Sequence, residues 1–268
     1  MKPRNVESLH NFNLIQQKLN MKMRFGFKVR ERKGEILLDF KEDVPNWKRF
    51  ASELLNDRVI MDLENGSKKI EEEGDFIVYE VYNLWKKIEV FKKIYEKARI
   101  VGDLTLLNHG IFSTSSKGEL FSTYGHAHRN ELGELYFVLK NECFLILSDK
   151  KTFQTFIVKL KEGDCFLIHP NFMHRLTSYK KDCLILTLAP EEAGHDYDCI
   201  KGKGFPFHLF YDKKKRKVEI KKNPNYEASY KMIRKSERIE LHKLIKNPEK
   251  LRKLLENPIL NKKYFNEK

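Results

Sequence analysis

Long apolar runs are missing from this 268-residue chain, and their absence excludes a helical membrane span. The longest, Cys183 to Pro190, is interrupted by Thr187 and falls far short of the ~20 residues that a bilayer core requires. Met1 to Met23 lacks the unbroken apolar core of a secretory signal, so the chain is expected in the cytoplasm. Cysteine is also scarce. Cys143, Cys165, Cys183 and Cys199 show no C-x-x-C spacing. The first three sit in apolar strand-like runs, where a free thiol behaves as a small hydrophobe, and reduced core thiols are expected. A hydrophobic content of 41%, with 19 Phe and 11 Tyr, excludes a disordered chain. The length suits one large domain, or one domain with extensions.

Charge of one sign is lacking over most of the chain. The net +14 is concentrated from Lys213 onward, where 19 Lys/Arg and 7 Glu leave +12. The remaining residues are nearly balanced. The basic character therefore belongs to a C-terminal extension, which reads as a lysine-rich solvated surface. RNA, an anionic membrane surface or an acidic partner are the other readings of such a tail. Neither nucleic acid nor membrane is the expected partner.

Residues 1–22 suggest a short helix, and Arg24 to Phe40 two strands around Arg32-Lys33-Gly34, with Phe25, Phe27 and Val29 alternating. Asp43-Val44-Pro45 is expected to open a helix whose buried face holds Trp47, Phe50, Ala51, Leu54 and Leu55. The charged stretch from Glu64 to Gly74 reads as a loop. From Asp75 the chain reads as short strands separated by turns: Phe76–Tyr82, Leu104–Phe112, Leu120–His128, Leu135–Leu139, Cys143–Leu147, Thr155–Leu160, Cys165–His169, His174–Thr177 and Cys183–Leu188. Such spacing predicts a mainly β sandwich or barrel. Val218 to Ile220 reads as an edge strand. Beyond it, Ile233, Ile239, Leu241, Leu244 and Ile245 give a helical pattern. A second helix is expected after Asn247-Pro248, with Leu251, Leu254 and Leu255 on its apolar face. This helical tail is expected to pack on the barrel or on a second subunit.

The densest chemical signal is Gly125-His126-Ala127-His128, then Glu134, then His174. In a strand, residues i and i+2 share a face, so His126 and His128 can reach one ion. Glu134, six residues on, returns to that face if a bend lies between. Three imidazoles and a carboxylate suit Fe(II), Mn(II), Ni(II) or Zn(II) and leave coordination positions open for chemistry. Seven of the nine histidines (His109, His126, His128, His169, His174, His195, His208) fall within one hundred-residue stretch. His169 and His208 are expected to be ordinary hydrogen-bonded side chains.

Gly163-Asp164 reads as a turn, and Pro170-Asn171 turns the chain to present His174. Together, G-H-x-H-x5-E and G-D-x5-P-x3-H resemble the paired motifs of the cupin superfamily, which implies a double-stranded β-barrel with four ligands at its mouth. The gap before the glutamate is longer than in the commonest cupin form. Asn141 stands where a glycine is usual, and Asn tolerates left-handed backbone.

A narrower resemblance is to the cupin-type glucose-6-phosphate isomerases of archaea and some bacteria. It rests on Val78-Tyr79-Glu80-Val81-Tyr82, Gly102-Asp103-Leu104, Gly125-His126-Ala127-His128, Glu134-Leu135-Tyr136 and Ala193-Gly194-His195-Asp196-Tyr197, which occur in order. It divides the chain into an N-terminal extension (1–22), a cupin-type domain (23–225) and a basic helical C-terminal extension (226–268).

The resemblance implies His126, His128, Glu134 and His174 as ligands of one divalent ion per subunit, with Fe(II) the expected metal. It implies Glu134, His195 and Tyr197 as catalytic groups, and Tyr79, His109, Thr123, Gly125 and Tyr136 as substrate-binding residues. The implied activity is glucose 6-phosphate to fructose 6-phosphate interconversion through a cis-enediol(ate), in glycolysis and gluconeogenesis, by a homodimer. The chain departs from the family at Asn108-His109, where a Thr-Thr pair is common, and at Ala189, where Tyr is common. His109 can replace a hydroxyl with a charge-assisted donor. The alternatives are a non-catalytic sugar-phosphate sensor, an enzyme acting on another sugar, and an Fe(II) dioxygenase.

Overall fold

The computed structural model describes residues 25–32, 35–233 and 241–258. The helix expected over 1–22, the turn residues Lys33-Gly34 and Ile239 lie outside the described residues. The chain opens with an antiparallel hairpin, β1 (Phe27–Arg32) and β2 (Glu35–Phe40). Next come β3 (Asn46–Phe50), α1 (Ala51–Asn56), α2 (Leu63–Glu73), β4 (Ile77–Asn83), α3 (Glu89–Ala98) and β5 (Ile100–Leu107). Two short strands, β6 (Lys117–Glu119) and β7 (Ala127–His128), lead into the central series. That series is β8 (Glu134–Lys140), β9 (Glu142–Asp149), β10 (Thr155–Lys161), β11 (Cys165–Ile168), β12 (Phe172–Thr177) and β13 (Cys183–Pro190). The chain ends with β14 (His195–Asp196), β15 (Phe207–Asp212), β16 (Lys217–Lys222), β17 (Tyr230–Ile233), α4 (Leu241–Ile245) and α5 (Pro248–Glu256).

Two sheets carry the architecture, a mainly β sandwich. One has the order β11-β8-β13-β5-β4-β3, the other β12-β9-β10-β17. All pairs within them are antiparallel except β10 with β17. Strand alternation explains how they stack. On β8 and β13, Tyr136, Val138, Cys183 and Ile185 face a core shared with Ile146, Val158 and Met173 of the second sheet. Their neighbours Leu135, Leu139, Leu184, Leu186 and Leu188 face a separate core beneath α3, α4, α5 and the N-terminal hairpin. A strand covered on both faces reads as a continuous apolar run, which is why Cys183 to Leu188 is so hydrophobic.

Several local expectations are corrected. Residues 46–50 form an edge strand on β4, not a helix, and only Ala51–Asn56 is helical. Trp47 and Phe50 are exposed, at 39% and 38%, because pairing turns them away from the core that Ala51, Leu54 and Leu55 enter. The stretch expected as a loop is α2. Its charges are spent on i,i+4 ion pairs, Lys68–Glu72 and Lys69–Glu73, and Gly66 lets it lie against Leu55. The region after Asp75 is not strands alone, since α3 buries Phe91, Ile94 and Ala98 on one face. The strand expected over Leu104–Phe112 starts at Ile100 and ends at Leu107. Leu120–His128 makes only isolated bridges before β7. Ile233 belongs to β17, not to a helix.

Other readings hold. Asn247 caps α5 by accepting the Lys250 amide, and Pro248 sits in its first turn. Leu251 and Leu255 are fully buried, so the tail packs on the sheet. Asn141 has φ 60°. Cys143, Cys165 and Cys183 are buried free thiols.

Candidate metal centre

His126 and His174 exchange backbone hydrogen bonds of 3.1 and 2.8 Å, which sets their rings side by side, centroids 4.3 Å apart. His128 lies on β7, paired with His195 of β14. The loop 129–133 then reverses the chain, and Glu134 opens β8. That loop is the bend that brings the carboxylate back to the histidines. Its Oε2 lies 3.3 Å from His128 Nε2, 3.7 Å from His174 Nε2 and 3.8 Å from His126 Nε2. Ligand atoms of the four residues fall within 4.8 Å of one another. Ligands at ~2.1 Å from one ion stand roughly 3.0 to 4.2 Å apart, a range that holds all three carboxylate–imidazole distances.

Side-chain chemistry agrees. Nε2 of His126 and of His174 are buried without a hydrogen-bond partner among the described residues. Buried polar atoms seldom stay unsatisfied, and a cation accounts for both. On two of the three imidazoles the opposite ring nitrogen is held: His128 Nδ1 donates to the Leu132 carbonyl at 2.6 Å, and His174 Nδ1 meets the Tyr136 hydroxyl at 2.9 Å. Such contacts orient metal-binding imidazoles, and the bond to Leu132 places the His128 proton on Nδ1 and leaves its Nε2 free. Burial, with the neighbouring histidines, holds His126 well below its ordinary pKa. Burial pulls His174 down to about 3. Both are neutral at pH 7, as ligation requires. Burial pushes Glu134 up, but its contacts with the His128 and His174 imidazoles outweigh it, and the carboxyl ends below its usual range.

Glu134 also lines a cavity of about 510 Å³, together with Trp47, Arg49, Asp103, His195 and Tyr197. The His195 ring lies 4.1 Å from that of His126, and its Nδ1 meets the Tyr197 hydroxyl at 3.2 Å. Desolvation by the surrounding wall lowers His195. Burial raises Tyr197 to about 12.

The substrate-binding residues expected from sequence fare unevenly. Tyr136 touches His174, while Tyr79 is buried and its hydroxyl accepts the Tyr124 amide at 3.3 Å. Thr123 Oγ1 accepts the Leu176 amide at 3.0 Å, so its hydroxyl ties this segment to β12. Gly125 has φ +82°, and a Cβ there would meet Phe205 at 2.6 Å and the His174 carbonyl at 3.0 Å. A glycine is what lets this backbone lie against the His174 strand. None of these four lines the cavity. His109 does not line the cavity either. Its Nδ1 sits 2.7 Å from Asp182 Oδ1, beside the start of β13, whereas Ala189 lies at the other end of that strand, roughly 20 Å away at ~3.3 Å per residue.

His208 is the ordinary hydrogen-bonded side chain expected. It is fully buried, with Nδ1 2.6 Å from Glu119 and Nε2 3.0 Å from the Phe205 carbonyl. His169 lies at a turn, where its Nδ1 accepts the Asn171 amide at 3.3 Å.

Cavity residues missed in the sequence include Arg49, Trp47 and Asp103. Burial raises Asp103 to about 6, against a hydrogen bond from Asn83 that lowers it. The signal for Arg49 and Trp47 was their i,i+2 spacing, which the helical reading of that segment hid.

A family model, Glucose-6-phosphate isomerase (GPI), matches residues 55–227. The glucose-6-phosphate isomerase of Thermococcus litoralis is 30% identical over 194 residues, covering 71% of this chain and 95% of that protein. That of Pyrococcus furiosus is 28% identical over 144 residues, covering 53% of this chain and 70% of that protein. Among solved structures, a mutant oxalate decarboxylase of Bacillus subtilis overlaps 43% of this chain and 26% of its own, at a TM-score of 0.32 and 11% identity. That overlap is too slight to bear on function. With the family model matching more than half of its length and the Thermococcus litoralis relative covered almost entirely, the chain belongs to the glucose-6-phosphate isomerase family.

Proposed function

We propose that the chain interconverts glucose 6-phosphate and fructose 6-phosphate in a metal-dependent reaction passing through a cis-enediol(ate). The supporting observation is the convergence of His126, His128, Glu134 and His174, with two orphaned Nε2 atoms, at the wall of a cavity. These four residues would hold one divalent ion, Fe(II) by expectation, with Mn(II), Ni(II) and Zn(II) fitting the same donors. Such an ion supplies Lewis-acid stabilisation of negative charge on the substrate oxygens.

The remaining roles belong to the chain. Glu134 stays ionised and sits at the cavity wall, where it can take a proton from one substrate carbon and return it to the next. His195 is kept neutral and hydrogen-bonded to Tyr197, a pair suited to ring opening or to holding sugar hydroxyls. Tyr136 acts through His174 as a positioning residue. A cytoplasmic homodimer is the proposed assembly, and sedimentation velocity tests the dimer.

Fructose 6-phosphate conversion by the purified protein tests the reading, after chelation and after adding back each metal. Turnover should return with metal and fall at least a thousandfold in Glu134→Gln. Full metal occupancy with no turnover would overturn it and point to a sugar-phosphate sensor or another substrate.

A further inference from the structure

The phosphate end of such a substrate needs a cation or a cluster of donors, and the residues expected to supply it do not face the cavity. His109 is committed to Asp182 at the far end of β13, Thr123 Oγ1 takes the Leu176 amide away from the cavity lining, and Ala189 offers no hydroxyl. The cavity wall is otherwise acidic, with Asp103, Glu134 and Glu191. Among its lining residues a single Lys or Arg is present, Arg49, and it lies outside the stretch matched by the family model.

Arg49 is built as a held cation. It shares a face of β3 with Trp47, and its guanidinium carbon lies 5.3 Å from the Trp47 ring centroid and 5.5 Å from that of Tyr124. Nη1 donates to Glu53 Oε1 at 2.7 Å, which fixes one edge of the fork. Nε is buried and without a hydrogen-bond partner among the described residues. The Glu53 side chain is 41% exposed, so water screens its claim on the charge. A planar guanidinium fixed at one edge, flanked by aromatic faces and with its side chain 22% exposed at the cavity wall is suited to a tetrahedral oxyanion. Tyr124 also touches Tyr197, ring centroids 5.2 Å apart, so Arg49 and the catalytic wall belong to one continuous surface.

We propose that Arg49 anchors the phosphate monoester of the substrate, with Trp47 and Tyr124 holding the guanidinium in place, while the sugar extends toward Glu134 and His195. The proposal rests on the sugar-phosphate reading above but can be tested apart from it.

Metal-loaded wild type, Arg49→Gln and Arg49→Lys would be titrated with inorganic phosphate and with fructose 6-phosphate, by calorimetry and by Trp fluorescence. Loss of a charge-assisted contact should weaken both ligands about tenfold or more in Arg49→Gln. Arg49→Lys should recover part of the loss, and metal stoichiometry should stay unchanged. In turnover, KM for fructose 6-phosphate should rise while kcat moves less than about twofold. Wild-type affinity for both ligands in folded Arg49→Gln would overturn the proposal, as would a wild type that binds neither. Should Arg49→Gln fail to fold, unchanged affinity and KM in Arg49→Lys, which loses the planar fork, would overturn it too. Arg49-dependent phosphate binding without any turnover would support this anchor while sinking the isomerase reading.

Discussion

At the scale of single residues, the centre depends on imidazoles kept neutral by burial. His174 is fully buried with a pKa near 3, against about 6.5 when unfolded. Below pH 6.5 the unfolded chain therefore binds a proton that the metal-free folded chain refuses, and stability falls as pH falls toward 3. From pH 7 to 5 this one group should cost the metal-free protein about 2 kcal/mol, with His126 adding to it. Denaturant melts of chelated protein at the two pH values check the sign, and a flat profile would show the histidines are not buried as described. Tyr136→Phe removes the hydroxyl at His174 Nδ1. Loss of such an orienting contact typically weakens a metal site by about 10- to 100-fold, measurable by chelator competition. Asp103→Asn removes a buried carboxyl whose ionisation is disfavoured below about pH 6. The variant should melt higher than wild type at pH 8 and show a smaller gain at pH 4, where the acid is already protonated.

At the scale of elements, α5 braces the metal loop. Leu255 O accepts the Gly133 amide at 2.7 Å, one residue before Glu134. Arg252 grips the Glu192 carboxylate with both ends of its fork, at 2.9 and 3.2 Å. Asn130 donates to the Glu192 carbonyl, and the amides of Arg129 and Asn130 to that of Ala193. The loop between His128 and Glu134 is thus held between α5 and the turn that precedes His195. Leu255→Ala should cost about 2–5 kcal/mol as a core truncation and should speed hydrogen exchange at Gly133. Arg252→Ala, a partly exposed pair, should cost under about 1 kcal/mol. Unchanged Gly133 exchange in Leu255→Ala would mean that the helix does not brace the loop.

At the scale of the whole molecule, an ion that binds only the folded state stabilises the entire domain by mass action. At a hundred times its Kd, metal should add about 2.7 kcal/mol. For a domain of this size that is roughly 5–10 °C in Tm, lost on chelation and restored in proportion to the logarithm of free metal. Calorimetry over a metal series gives the slope, and a Tm indifferent to metal would argue against a site coupled to folding. Among the described residues, the lysines beyond Lys213 stand away from the centre: Lys217 and Lys222 of β16 and Lys250 and Lys253 of α5 are exposed, while β15 and α5 bury Leu209, Leu251 and Leu255.

Sequence alone determined the features that rest on local periodicity and on residue chemistry. Strand alternation showed most of the sandwich, the cap at Asn247-Pro248 showed α5, and the H-x-H, Glu134 and His174 spacing showed the four residues that converge. Tertiary structure decided whatever depends on which surface covers which. Trp47 and Arg49 share a strand face only because β3 finds β4 as a partner, a pairing about thirty residues away. Residues 63–73 become a helix because Leu55 receives Gly66 and the charges pair along it. His109 leaves the site because β13 carries its neighbour Asp182 to the far end of the sheet. Pairing and burial are long-range free energies, absent from any window of adjacent residues, and they decided which of the legible side chains meet at one place.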